Sequence, residues 1–160
     1  MRIYVASSWR NNIQPSVVAA LRADGHEVYD FKNPYPGNEG FHWSEIDPKW
    51  KEWTPDAYVE HLESRIAQTG FDRDMQALAT CDACVLVLPC GRSAHIEAGH
   101  AAGSRKRVLI LLHEDKFEPE LMYKMADWIG TDIEDLRHEL RCDSQFEAYG
   151  PNGWILNGER

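Results

Sequence analysis

A carboxylate stands on the apolar side of a small-residue helix in Ser93-Ala94-His95-Ile96-Glu97-Ala98-Gly99. At about 100° per residue, Glu97 falls about 60° from Ala94 and about 40° from Ala101, on the side a sheet would cover. With Ser93 as N-cap it stands about one turn in, where the helix dipole and unpaired N–H groups favour an anion. An ionised carboxylate at the mouth of a sheet can attack an electrophilic carbon; the bland alternative is a Glu that hydrogen-bonds a loop backbone. Asp74 makes a second case. Phe71, Met75 and Leu78 mark the buried face of its helix, and Asp74 lies about 60° from Phe71 at the edge of that face. There it would bind a ligand's hydroxyls or orient the nucleophile, or else be a solvated boundary residue. Tyr4 is mid-strand, so its ring belongs to the core, while its hydroxyl could reach Glu97.

The loop Ser7-Ser8-Trp9-Arg10-Asn11-Asn12 combines two hydroxyls, a guanidinium and two amides ahead of a helix, the chemistry of an anion cradle. Its alternative is a capping turn with a surface arginine. Neither G-x-G-x-x-G nor the phosphate-binding P-loop can be matched, which removes the main support for dinucleotide oxidoreductases and nucleoside triphosphatases. Two other motifs are set aside. Cys84 of Cys81-x-x-Cys84 opens a buried strand with no helix N-terminus to stabilise a thiolate. His95 and His100 are five apart, whereas a helical zinc pair needs a spacing of four. No metal and no cofactor is expected.

These residues need a frame, and the periodicity supplies one. Residues 2–6, 27–31, 83–88, 108–112 and 128–131 read as strands, and helical faces lie between them around Val17, Val18 and Leu21, over 54–68, 71–80 and 94–103, and over 132–140. A break is expected near Gly70 and a helix end at Gly25. Alternation of this kind predicts an α/β fold, a doubly wound, mostly parallel five-stranded sheet in a single domain. Its ligand crevice lies at the C-terminal ends of the strands, where the strand order reverses. The domain is expected over residues 1–142, with an aromatic loop insertion at about 31–58 and an irregular tail over 143–160. The insertion holds Trp43, Trp50, Trp53 and four prolines. It is either a satellite core of its own or a lid whose rings stack on a base.

With 160 residues, 17 Lys plus Arg and 26 Asp plus Glu, the chain carries a formal charge of −9, and its field repels polyanions. Nucleic-acid polymers and anionic membranes are therefore excluded as expected partners. The apolar runs are far shorter than the roughly 18 residues of a membrane span, and a cytoplasmic location is expected. Cys81, Cys84 and Cys90 flank or occupy an apolar strand and read as buried thiols, not as a disulfide framework.

Taken in order, Ile3-Tyr4-Val5-Ala6 with its polar loop, Asp74, Cys81-Asp82-Ala83-Cys84-Val85-Leu86-Val87 and Ser93-Ala94-His95-Ile96-Glu97-Ala98-Gly99 resemble the nucleoside 2-deoxyribosyltransferase family. That family also contains nucleoside 5'-monophosphate N-glycosidases, and the resemblance covers roughly residues 1 to 130. It implies a Rossmann- or flavodoxin-like fold and an enzyme that cleaves the N-glycosidic bond of a small nucleoside or nucleoside monophosphate, by hydrolysis or by (deoxy)ribosyl transfer. By the same resemblance Glu97 is the nucleophile that forms a glycosyl intermediate, Tyr4 positions it, and Asp74 contacts the sugar. Ser7, Ser8, Arg10 and Ser93, with Arg92 and Trp9 beside them, become the substrate- and phosphate-binding set. A homodimer or higher homo-oligomer is implied, with Tyr149 or Trp154 lent to a neighbouring site. The chain departs from the family pattern in three places: Pro89-Cys90-Gly91-Arg92 holds no acid, where the transferases carry an aspartate; Ser7-Ser8-Trp9-Arg10 lacks the first-loop glycines usual in the phosphate hydrolases; and the Trp-rich segment from Phe41 to Trp53 is larger than expected. The alternative to an enzyme is a nucleotide-sensing module on the same fold.

Overall fold

The structure, a computed structural model, describes residues 1–113 and 118–142, so the tail that carries Tyr149 and Trp154 lies outside the described residues. The described chain divides into two compact units: Met1–Tyr29 with the chain from Cys81 onward, and Asp30–Thr80.

The first unit is built on strands β1 (Arg2–Ala6), β2 (Glu27–Asp30), β3 (Ala83–Val87), β4 (Arg107–Leu111) and β5 (Trp128–Gly130). They form one five-stranded sheet in the order β2-β1-β3-β4-β5. The β1–β3, β3–β4 and β4–β5 pairs are parallel, with Tyr4 beside Cys84 and Ala6 beside Leu86. Every residue of β3 is buried, as expected for a continuous apolar strand covered on both faces. One face packs Ile3, Val5, Val85, Val87, Leu109 and Leu111 against Val17, Val18 and Leu21 of α1 (Gln14–Ala23) and Leu136 and Leu140 of α5 (Ile133–Arg141). Strand side chains alternate, so Tyr4, Cys84 and Leu86 point to the opposite face. There α4 (Arg92–Gly103) lies along β1, β3 and β4 and buries Ala94, Ala98 and Ala101. The doubly wound α/β sheet is therefore present, with most element ends within one or two residues of the sequence reading.

The second unit holds α2 (Pro55–Leu62) and α3 (Arg65–Thr80), preceded by 3-10 turns at Trp43–Glu45 and Trp50–Glu52. Its aromatic segment packs on itself: Trp43 meets Phe41, Trp53 and Tyr58 edge to face at 4.8, 5.7 and 5.7 Å. Trp53 stacks on His61 at 4.3 Å and donates its indole N–H to Asp47. These half-buried rings, with the exposed Tyr58, form an aromatic cluster of the unit's own.

Three expectations need correction. The helical break falls at residues 63–64, not at Gly70, because Ser64 starts α3 by accepting the Ala67 N–H on its hydroxyl. Gly70 lies inside α3, where an added Cβ would come within 3.1 Å of the Phe41 ring; the glycine serves close approach, not a turn. Phe71, taken as core-facing, is 60% exposed. The buried residues of α3 are Ala67, Gly70 and Leu78, which puts Asp74 near the middle of that face, about 20° from Ala67, and not at its edge. Lastly, Gly91 and not Ser93 is the N-cap of α4.

The two helix-interior glycines should respond differently to alanine. Gly99 has nothing within 4 Å of an added Cβ, so Gly99→Ala should raise stability by roughly 0.5–1 kcal/mol through helix propensity. Gly70→Ala should gain less or lose, because Phe41 has to retreat. Urea midpoints of the two variants test this, and a larger gain at Gly70 would contradict the close Phe41 packing.

Candidate active site

Strand order turns back between β1 and β3, and a crevice at such a reversal is the general ligand position of open α/β sheets. The loops that leave these two strands are tied together. Ser7 Oγ donates to the Val87 carbonyl at 2.8 Å. Asn11, only 3% exposed, donates its amide to the carbonyls of Val87 at 3.2 Å and Pro89 at 3.1 Å. The Asn11 carbonyl oxygen accepts the backbone N–H of Ile13 at 2.8 Å and Gln14 at 3.0 Å, which caps α1. One buried amide thus joins the first loop, the first helix and the end of β3.

On this frame the expected binding residues occupy different places. With its proton on Val87, Ser7 offers a ligand only its lone pairs. The half-buried Ser8 accepts the Arg10 N–H at 3.2 Å and keeps its own proton for a further acceptor. Trp9, Arg10, Arg92 and Ser93 are exposed. Arg92 and Ser93 form the first turn of α4, whose first backbone N–H groups have no partner within the helix.

Glu97 is half-buried and is the sixth residue of α4. The dipole acts mainly within the first turn, so it no longer accounts for the carboxylate as the sequence reading supposed. What the structure adds is a neighbourhood of thiols. Cys84, on the α4 face of β3, is pushed well above the usual thiol range by burial, then by Cys81 and by the Glu97 charge. Cys90 is pushed up to about 12 by burial and by Glu97. The anion, two protonated thiols and the buried ring of Tyr4, register neighbour of Cys84, therefore share the α4 side of the sheet. Tyr4 also stacks on Tyr29 of β2 at 5.2 Å. Asp74 belongs to the second unit, where it is half-buried with its carboxylate 3.9 Å from Arg73 Nε.

Two groups escaped the sequence reading. Asn11 counted only as one of two loop amides, although an Asn just ahead of a helix with an early proline is itself a capping signal. The second is His95, weighed only as a zinc ligand. Its Nδ1 lies 2.9 Å from the Gly91 carbonyl and its Nε2 2.9 Å from the Tyr123 hydroxyl. A carbonyl only accepts, so Nδ1 carries the hydrogen, and in the neutral ring Nε2 accepts from Tyr123. Tyr123 sits in a 3-10 turn, Leu121–Met125, which no periodicity announces.

The site is thus a carboxylate beside the strand-order reversal of a doubly wound α/β protein. No protein-family model matches the chain, and no curated protein matches it in sequence. Among solved structures, it is similar to the 2-deoxyribosyltransferase of the psychrotolerant bacterium Bacillus psychrosaccharolyticus, at 15% identity and a TM-score of 0.54, over 85% of this chain and 90% of that one. It is also similar to the CMP N-glycosidase BcmB of Clostridium botulinum, at 16% identity and a TM-score of 0.49, over 88% of this chain and 99% of that one. The fold is that of the deoxyribosyltransferase. Among the described residues, no helix is long and apolar enough to cross a membrane.

The thiols report on the carboxylate. Cys90 should alkylate slowly at pH 8 compared with the exposed Cys142, as followed by peptide mass spectrometry. Removing the nearby negative charge with Glu97→Gln lowers the Cys90 pKa, raises its thiolate fraction and speeds its alkylation. An unchanged rate would mean that the Glu97 charge does not reach Cys90.

Proposed function

We propose that the protein cleaves the N-glycosidic bond of a small nucleoside or nucleoside 5'-monophosphate, with Glu97 as nucleophile. The observation that carries this is the placing of a half-buried carboxylate on the α4 side of the sheet, beside the reversal between β1 and β3. The shared fold with a 2-deoxyribosyltransferase supports it, as does the residue order quoted above.

In the first step a Glu97 oxygen bonds to the anomeric carbon as the C–N bond breaks. The base leaves with the bonding pair and takes up a proton, and the oxocarbenium-like charge that develops is stabilised by the carboxylate. In the second step water or another base attacks the same carbon and releases Glu97, which gives hydrolysis or transfer. Tyr4 positions the nucleophile from the strand beside it, and Asp74 contacts the sugar hydroxyls. Arg10 and Ser8 on the first loop, with Ser93 and Arg92 in the first turn of α4, hold a 5'-phosphate by charge-assisted bonds, with Trp9 alongside. The enzyme is a homo-oligomer. One observation favours a binding module without turnover: residues 88–92 carry no acid to protonate a leaving base. Tight nucleotide binding by calorimetry with no base release over hours would select it.

Glu97→Ala should lower base release from a nucleoside and nucleotide panel by at least about 10³-fold, the scale of losing a nucleophile, while circular dichroism stays unchanged. Retained activity would remove the mechanism. Arg10→Ala should raise KM for monophosphates by about tenfold or more, the worth of one charge-assisted bond, and leave nucleosides unaffected. Equal losses on both would show that Arg10 is not a phosphate clamp.

A further inference from the structure

The second unit carries an open groove with a volume of about 300 Å³, lined by Tyr35, Asn38, Phe41, Glu45, Arg65, Ile66, Thr69 and Arg73 with two glycines. From α3 it takes Ile66, Thr69, Gly70 and Arg73, positions within about 100° of one another on the helix. Opposite them, Gly70 lets the Phe41 ring approach to where a Cβ would stand 3.1 Å away. Phe41, Ile66 and the Tyr35 ring make apolar walls.

The polar part of the lining is cationic and poorly matched. Arg73 Nη1 donates to Asn38 Oδ1 at 3.2 Å. Arg73 Nε is sealed from water without a hydrogen-bond partner, and the Asp74 carboxylate, at 3.9 Å, is beyond hydrogen-bonding distance. The amide that meets Arg73 is itself fixed, because Asn38 Oδ1 also accepts the Gly40 N–H at 3.0 Å and Asn38 Nδ2 donates to the Tyr35 hydroxyl at 3.1 Å. With one neutral acceptor, a carboxylate at 3.9 Å and Nε unbonded, this guanidinium has donor capacity left that a bound anion would use. Arg65 brings a second positive charge to the lining, and the single carboxylate there, Glu45, already accepts the His42 N–H at 2.8 Å. The groove lining is net positive in a chain of formal charge −9.

We propose that this groove is a binding site for a small organic anion, one carboxylate or phosphate group on a planar apolar body of about benzene size. The volume is at the small end of ligand pockets. The anion sits at Arg73 and Arg65, the Tyr35 hydroxyl donates to it, and the body lies against Phe41 and Ile66. The groove lies in the second unit, and neither of its arginines has a part in the bond cleavage proposed at Glu97.

Calorimetric or NMR titration of the whole chain with benzoate, phenyl phosphate and inorganic phosphate tests the assignment. At least one of the two aromatic anions should bind saturably at about millimolar concentration or below, and whichever binds tighter identifies the anionic group as carboxylate or phosphate. Inorganic phosphate should bind at least about tenfold more weakly than phenyl phosphate. Arg65→Gln, an exposed position that folding should tolerate, and Arg73→Gln should each weaken binding about tenfold or more, with Arg73→Lys in between. Glu97→Ala should bind as the parent does. No saturation by either aromatic anion up to about 10 mM, binding unaffected by both arginine variants, or, where phenyl phosphate is the tighter of the two, inorganic phosphate equalling it would each overturn the site. Base release is judged on Glu97→Ala and anion binding on Arg65→Gln, which is not paired with Asp74, so either reading can fail without the other.

Discussion

The candidate site depends on the amide of Asn11. It bonds two carbonyls at the end of β3 and two backbone N–H groups at the start of α1, so it uses both of its donors and its acceptor oxygen. The Ser7 hydroxyl reinforces the same carbonyl of Val87. Parallel strands have no hairpin between them, so the separation of their terminal loops is set by side chains such as these. Losing the Asn11 amide would leave the Pro89 carbonyl short of its side-chain partner, which costs about 1–3 kcal/mol. A loop pair held this firmly lets exposed side chains such as Arg10 and Arg92 project from a fixed base. That is what makes a strand-order reversal usable for recognition, where side chains on an untethered loop would first have to be ordered.

How much of this was legible in the sequence follows from the kind of signal each part leaves. β3 and β4 are unbroken apolar runs, and burial on both faces of a parallel sheet produces that pattern, so strand positions, helix order and fold class can be read directly. The side of α4 on which Glu97 sits is equally plain, because Ala94, Ala98 and Ala101 mark it and all three are buried. Caps are less legible. Ser93 looks like the better N-cap by residue type, yet Gly91 takes the position with extended backbone and no side-chain bond. Gly70 misleads for a related reason: it resembles a helix break, but its role is set by a ring thirty residues away, and no local pattern records a tertiary contact of that kind. The same holds for His95 and Tyr123, whose pairing joins α4 to a turn of 3-10 geometry.

The aromatic segment shows how ring packing can be local. Tryptophans in a long irregular stretch suggest rings waiting for a ligand, whereas Trp43 and Trp53 spend their faces and edges on Phe41, Tyr58 and His61. Edge-to-face pairs are worth about 0.5–1.5 kcal/mol beyond the area they bury, and several in one cluster allow some fifty residues with only two α-helices to form a unit. The Asp47 carboxylate, held below its usual range by the Lys49 N–H and the Trp53 indole, pins the turn that delivers Trp53. Rings committed in this way cost their segment the freedom that a stacking lid would need.

Cys90, in a loop where the resemblance implies an aspartate, changes the charge arithmetic of the proposed chemistry. Two carboxylates in contact repel, and the pair obtains a proton by raising one member's pKa. Here Glu97 is the only carboxylate between residues 88 and 97, and the group in the loop is a thiol kept neutral by burial and by Glu97 itself. A neutral thiol adds no competing charge near the proposed nucleophile, so in that mechanism the whole local negative charge is available to an oxocarbenium-like sugar. With a pKa pushed up to about 12, it is also a weak acid at neutral pH. On the proposed mechanism this favours attack at the anomeric carbon over assistance to the leaving group, which suits a base that departs with little protonation from the protein. For such a base, one well-placed anion at the strand-order reversal supplies the larger share of what the cleavage requires.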